Sequence, residues 1–178
     1  LKALSDAIGA EHAMISIIDQ DDPHNASTHT YLKNGQRQPN FTYSLKHTPC
    51  ADAIKSDTCF LSDNVSKLYP DDEMLKTAHI KSYFGAVITD AHGTATGILI
   101  IMGENSLAVN AQVRSLMLIF AERIAGELRR AKDQEKIFNL AFFDPLTRLP
   151  NRRMMLDRLK LITAQSARSG YHAALLFI

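Results

Sequence analysis

At 178 residues, with 46% apolar and 22% charged residues, the chain has the composition of a globular protein that can bury one good core, or one domain and part of a second. A formal net charge of +1 gives no general attraction to nucleic acid or to acidic partners. No apolar run approaches the roughly 18 residues that span a bilayer, and the opening LKALSDAIGA lacks the basic stretch and long apolar run of a signal peptide, so the expected location is cytoplasmic.

The chain begins without a methionine and ends inside the apolar run ALLFI. Both ends are therefore expected to be cuts through a longer protein, with any membrane anchor or further domain outside this stretch. Cys50 and Cys59 form no CxxC pair and have no histidine at zinc-site spacing, and the seven histidines are scattered. No metal site is expected, and both thiols are expected to be reduced.

In chain order, residues 2–10 place Leu4, Ala7 and Ile8 on a short helical face that Gly9 ends. AMISIID (13–19) suits a largely buried strand, and DDPHNAS is a turn cluster. Strands are expected at 28–33 and 41–46, separated by the polar loop NGQRQPN. Residues 48–55 read as a helix with Thr48 at the N-cap and Pro49 at the first helical position. Residues 59–62 suit a short strand, and 63–79 read as short helices and loop. SYFGAVITD (82–90) and TATGILIIMG (94–103) form a hairpin closed by Asp90-Ala91-His92-Gly93. From Asn110 to about Phe143 no proline interrupts a single long helix. Val113, Met117, Phe120, Ile124, Ala131, Phe138 and Ala141 lie on its approximate heptad seam, which is polar at Glu127 and Gln134. Its first half suits packing on the sheet; its second half, LRRAKDQEKIFNL, is too polar for a core and reads as a connector able to pair with a second copy. The fold class is α+β, an antiparallel sheet with helices before, within and after it; no GxGxxG or GxxxxGK[ST] follows a strand.

The block TPCADAI, the hairpin SYFGAVITDAHGTATGILIIM and the long helix after it together resemble a bacterial GAF sensor domain over residues 1–128. The resemblance implies a GAF-like antiparallel sheet flanked by helices. Gly85 and Gly97 would allow close backbone approach across the hairpin, with Gly93 making its turn. FFDPLTRLPNRRMMLDRL (142–159) is similar to the opening of GGDEF (diguanylate cyclase) domains, matched at Asp144, Leu146, Thr147, Leu149, Asn151 and Arg152. Asp144 and Thr147 suit a turn, and Pro150 with Asn151 starts the next helix. SARSGYHAALLFI would then lead into the cyclase's first strand, so residues 144–178 would be a truncated α/β GGDEF fragment joined by a signalling helix at 129–143.

Such a cyclase joins two GTP molecules by attack of a 3′-hydroxyl on an α-phosphate, with divalent metal held by acidic residues. Mg²⁺ with GTP or cyclic di-GMP is thereby assigned to the parent protein. No catalytic or metal residue falls in this chain, which is expected to be inactive by itself. RSGYHAALLFI also resembles proteins in which GGDEF precedes an EAL phosphodiesterase domain, so synthesis and breakdown of cyclic di-GMP both stay open for the parent.

Within the GAF-like region, Tyr43, His47, His79 and Tyr83 are candidates to line a ligand pocket between sheet and helices; packing or surface roles for them stay open. Cys50 is either an attachment or redox-sensing cysteine or a small buried hydrophobe. Residue 51 is Ala where a Cys-His bilin site requires His, so no linked chromophore is expected, and the NKFDE signature of some cyclic-nucleotide-binding GAF families is absent. Arg148, Arg152 and Arg153 lack interleaved aromatics and read as partners of Asp144 and Asp157, not as a nucleic-acid surface. The expected partners are a second copy of the chain, through the helix at 110–143, and an unidentified small molecule.

Overall fold

The computed structural model of the protein describes residues 1–170, 172 and 174. They form two compact units, Leu1–Glu127 and Leu128–Ile178.

The first unit is built on one antiparallel sheet. Its strands are β1 (His12–Ile18), β2 (Asn25–Lys33), β3 (Gln36–Gln38), β4 (Thr42–Ser44), β5 (Thr58–Leu61), β6 (Ser82–Thr89) and β7 (Ala95–Gly103). Their order is β3-β2-β1-β7-β6-β5, with β4 also paired to β2. The helices are α1 (Lys2–Ile8), α2 (Pro49–Ser56), α3 (Val65–Leu68), α4 (Glu73–Thr77) and α5 (Ala111–Phe142), the last of which runs on into the second unit.

Alternation along the central strands assigns the two faces. On one, Met14, Ile98, Ile100, Met102 and Tyr83 pack with Leu45, Cys50, Val65, Leu75 and Ile80 from the segments that carry α2, α3 and α4. On the other lie Ala13, Phe84, Ala86, Leu99 and Ile101, and α5 buries Met117, Ala121 and Ala125. The Arg114 guanidinium of α5 stands 4.5 Å over the ring of Phe60 on this second face. β7 is covered on both sides, which is why ILIIM reads as a continuous apolar run instead of an alternating one. Each fully buried Ile or Leu there contributes about 1.5–3 kcal/mol.

The expected elements of the first unit form, with several differences. The DDPHNAS turn ends at His24, because Asn25–Ser27 already pair in β2, and the strand expected at 41–46 is only Thr42–Ser44. NGQRQPN is not all loop: its QRQ is β3, reached through Asn34 and Gly35 at φ 50° and 72°. A three-residue edge strand needs only backbone pairing to β2, so polar side chains suit it. Thr48 stands at the N-cap of α2, but its hydroxyl donates to the Leu45 carbonyl at 2.7 Å and leaves the helix amides uncapped. Gly97 does allow a close approach, but toward β1 and not across the hairpin: a Cβ there would sit 2.6 Å from the Ser16 carbonyl oxygen.

The second unit holds the later part of α5, a turn, and α6 (Arg152–Ser169). The Asp144 carboxylate accepts from the amides of Leu146 and Thr147 at 3.1 and 2.8 Å and from the Thr147 hydroxyl at 2.9 Å. Arg148 closes the turn at φ 60°. Asn151 caps α6 by accepting from the Met154 amide at 3.1 Å, and its side-chain amide donates to the Ala141 carbonyl at 2.9 Å. Leu146 and Leu149 are exposed, as is Arg152. Asp157 pairs with Lys160 and not with the arginines, while Arg153 lies over the Phe142 ring. None of the described residues after Glu127 is buried. The apolar strand expected at 173–178 lies, Ala174 apart, outside the described residues.

Candidate functional site

A cleft of about 350 Å³ opens between the first face of the sheet and the segments carrying β4, α2 and α4. Met14 and Met102 on adjacent central strands form its floor, with Phe41, Tyr43 and Met74 around them. Three of the sequence candidates meet in its wall: Tyr43, Cys50 and Tyr83.

Tyr83 reaches Cys50 because of Gly85. A Cβ at Gly85 would sit 2.6 Å from the Tyr83 hydroxyl, so the phenol lies along its own strand in the space that a side chain two residues on would fill. The hydroxyl then donates to Cys50 Sγ at 3.1 Å, and the Tyr43 hydroxyl lies 3.8 Å from the same sulfur. Burial pushes the Cys50 thiol up to about 11, against the hydrogen bonds from Tyr83 and Tyr43. At neutral pH it is therefore a thiol and not the nucleophilic thiolate. Burial likewise holds both tyrosines above the ordinary phenol range, so the inner wall is polar and uncharged.

Behind Tyr43 the ring contacts continue, to Phe41 with centroids 5.7 Å apart, from Phe41 to Tyr31 at 5.9 Å, and from Tyr31 to His12 at 6.0 Å. Nε2 of the fully buried His12 lies 3.2 Å from the Glu104 carboxylate and donates to it, and Nδ1 lies 2.8 Å from the Tyr31 hydroxyl, which donates to it when the ring is neutral. Burial lowers its pKa below 6.5, opposed by the Glu104 hydrogen bond. Ser16, on the same face as Met14, has a fully buried hydroxyl without a hydrogen-bond partner among the described residues.

The charges stand at the rim. Asp71, Glu73 and Lys46 are exposed and Asp72 is half-buried. Asp72 caps α4 by accepting from the Met74 and Leu75 amides at 3.1 and 3.2 Å, and burial raises its pKa against those bonds.

His47 and His79 do not join this cluster. Both are exposed, at φ 57° and 54°, positions that shape turns instead of aiming side chains inward. His47 borders two surface grooves beside α2, and His79 borders one with Asp63, Lys76 and Lys81. The lining residues that the sequence did not single out include Met14, Phe41, Lys46, Met74, Met102 and the rim acids. Only Asp72 carried a local signal, as an acid placed to cap EMLKT. In the second unit, a groove of about 420 Å³ is lined by α5 residues together with Asp144, Pro145 and Arg148. Among the described residues no three His, Cys, Asp or Glu side chains are grouped to hold a metal ion, and no helix is long and apolar enough to cross a membrane.

No protein-family model matches the chain, and no curated protein sequence matches it. Solved structures do. The GAF domain region of a protein from Geobacter sulfurreducens is 18% identical with a TM-score of 0.55, covering 72% of this chain and 87% of that one. The phycocyanobilin-bound GAF domain of a cyanobacterial phytochrome is 13% identical with a TM-score of 0.59, covering 75% of this chain and 82% of that one. The GAF domain of an Acinetobacter phosphoenolpyruvate-protein phosphotransferase is 9% identical with a TM-score of 0.55, covering 75% and 79%. At such identities the likeness speaks for the fold alone: this chain contains a GAF-like fold, an α+β domain whose antiparallel sheet carries helices.

Proposed function

We propose that this chain is the sensory input of a bacterial cyclic di-GMP signalling protein. In this reading residues 1–128 bind a small molecule in the cleft walled by Tyr43, Cys50 and Tyr83, residues 129–143 transmit the change, and residues 144–178 open a GGDEF domain. The observation that carries the sensory part is the cleft itself. A domain serving only to dimerise or dock has no need of an open space of about 350 Å³ over its core, and its own side chains would fill it. The cyclic di-GMP part rests on the match of Asp144, Leu146, Thr147, Leu149, Asn151 and Arg152 to the GGDEF opening.

Transmission would run through pairing of α5 with its copy in a second protomer, supported by exposed apolar side chains along it, among them Ile119 (63% exposed), Ile137 (66%) and Leu140 (63%). Ligand binding then changes the balance between two arrangements of the helix pair, and with it how two cyclase half-sites face each other. Mg²⁺ and GTP would be held by residues beyond this chain, so no step of nucleotide chemistry is assigned to its side chains. The neutral, buried thiol of Cys50 does not favour a linked bilin, in keeping with Ala51 where His would be needed.

The test uses the longest protein that contains this chain, purified with Mg²⁺ and supplied in turn with GTP and with cyclic di-GMP. Product from GTP is the expected outcome. Hydrolysis of cyclic di-GMP alone would move the chain to a phosphodiesterase, and neither activity would sink the cyclic di-GMP reading. Sedimentation of the same preparation as a strict monomer under all conditions would sink the helix-pairing mechanism.

A further inference from the structure

We infer that the cleft selects an organic cation with an apolar body and excludes phosphate-bearing ligands; this rests on the cleft being the sensor's ligand site. The argument is one of charge placement. The inner polar groups are the hydroxyls of Tyr43 and Tyr83, the thiol of Cys50 and the Thr48 hydroxyl, which donates to the Leu45 carbonyl; all are uncharged at neutral pH. No arginine lines the cleft, and its one lysine, Lys46, is exposed. An anion entering it would leave water without a buried countercharge, which is costly.

The rim has the opposite bias. Three acids, Asp71, Asp72 and Glu73, line it with a single lysine, Lys46. Glu73 is partly offset by Lys76 at 3.5 Å, whereas Asp71 has no ion-pair partner among the described residues. Asp72 directs one carboxylate oxygen to the α4 amides, so its other oxygen is left for a ligand. Phe41 and Tyr43 are aromatic, and ring faces attract cations where they repel anions. The thioethers of Met14, Met74 and Met102 give an adaptable apolar surface for the rest of the molecule. The ligand that satisfies all of this carries its ammonium group at the rim and its hydrocarbon against the methionines. By the same logic, the nucleotide that the proposed parent makes or degrades is not what this domain senses.

The test titrates residues 1–178 with three probes of similar size, benzyltrimethylammonium, benzyl alcohol and phenylmethanesulfonate, followed by calorimetry and tyrosine fluorescence. The expected order is cation, then alcohol, then sulfonate, with the cation at least about tenfold tighter than the sulfonate. The double variant Asp71→Asn with Asp72→Asn, which keeps a capping oxygen at position 72, should bring that ratio close to one while circular dichroism stays unchanged. Sulfonate binding as tightly as the cation overturns the inference and leaves the ligand-site reading standing. A preference that survives the double variant overturns the role given to the rim. No binding by any probe at millimolar concentration overturns both.

Discussion

Ile98, Leu99, Ile100 and Ile101 are consecutive in the first unit and all fully buried, whereas in the second unit Leu146 is 90% exposed and Leu149 and Leu161 are each 64% exposed. The difference does not lie in the side chains, which are equally apolar. β7 is the inner strand of a sheet with covering layers on both faces, so each of its residues finds neighbours whichever way it points. The described part of the second unit is helices joined by a hydrogen-bonded turn, and a helix pair offers apolar side chains only a stripe to pack on. Local order and burial thus come apart: the Asp144–Asn151 turn is held by hydrogen bonds to the Asp144 carboxylate and from the Asn151 side chain, yet none of the described residues of this unit is buried.

The largest expected effect tests that contrast directly. Ile100→Ala removes a fully buried side chain from the core and should cost about 2–5 kcal/mol in urea unfolding, whereas Leu161→Ala should change stability by no more than about 0.5 kcal/mol. Equal costs would mean that α6 belongs to the same cooperative core as the sheet, and the division would be wrong.

Acid should separate the two units by pH. His12 has a folded-state pKa below its ordinary 6.5, burial being the main cause. Between those two values the unfolded chain binds more protons than the folded one, so His12's contribution to the sheet unit's stability rises with pH and is lost as pH falls below about 6.5. Asp144 is shifted down from 3.8, chiefly by the Thr147 amide. Its contribution is present above 3.8 and fades as pH falls through the lowered value. Acid titration should therefore lower the thermal midpoint of the sheet unit before the Thr147 amide resonance moves. His12→Gln should flatten the first step, and an unchanged profile in that variant would remove His12 from the account.

Much of the fold was legible because period and punctuation coincide. The hairpin of β6 and β7 announces itself by two β-branched runs and the Asp90–Gly93 turn, and α5 by an uninterrupted helical pattern after Asn110. β3 was obscured because its side chains are polar, although Asn34-Gly35 was a readable hairpin turn. At the site, Tyr43, Cys50 and Tyr83 stood out as polar or reactive groups on buried elements. Met14, Phe41 and Met102 could not, since an apolar residue lining a cleft has the same sequence pattern as one filling a core. The two histidines were attractive by chemistry alone. Backbone conformation decided their place, and left-handed turn positions at His47 and His79 leave little mark in a single sequence.

The smallest expected effect compares two asparagine caps that do the same chemistry on different foundations. Asn110 accepts from the Val113 amide at 2.8 Å at the start of α5, and Asn151 accepts from the Met154 amide at 3.1 Å at the start of α6. Loss of either cap by substitution to alanine removes about 1 kcal/mol of local stabilisation. In Asn110→Ala the loss should reach the unfolding midpoint of the sheet unit, because α5 buries Met117, Ala121 and Ala125 within a few turns of the cap. In Asn151→Ala it should appear only as faster hydrogen exchange over the first turn of α6, a helix with no buried residue to pass the change to a core. If Asn151→Ala instead moved the midpoint as far as Asn110→Ala does, the turn between α5 and α6 would be a stabilising joint of the whole chain, and the second unit would have to be treated as part of the first.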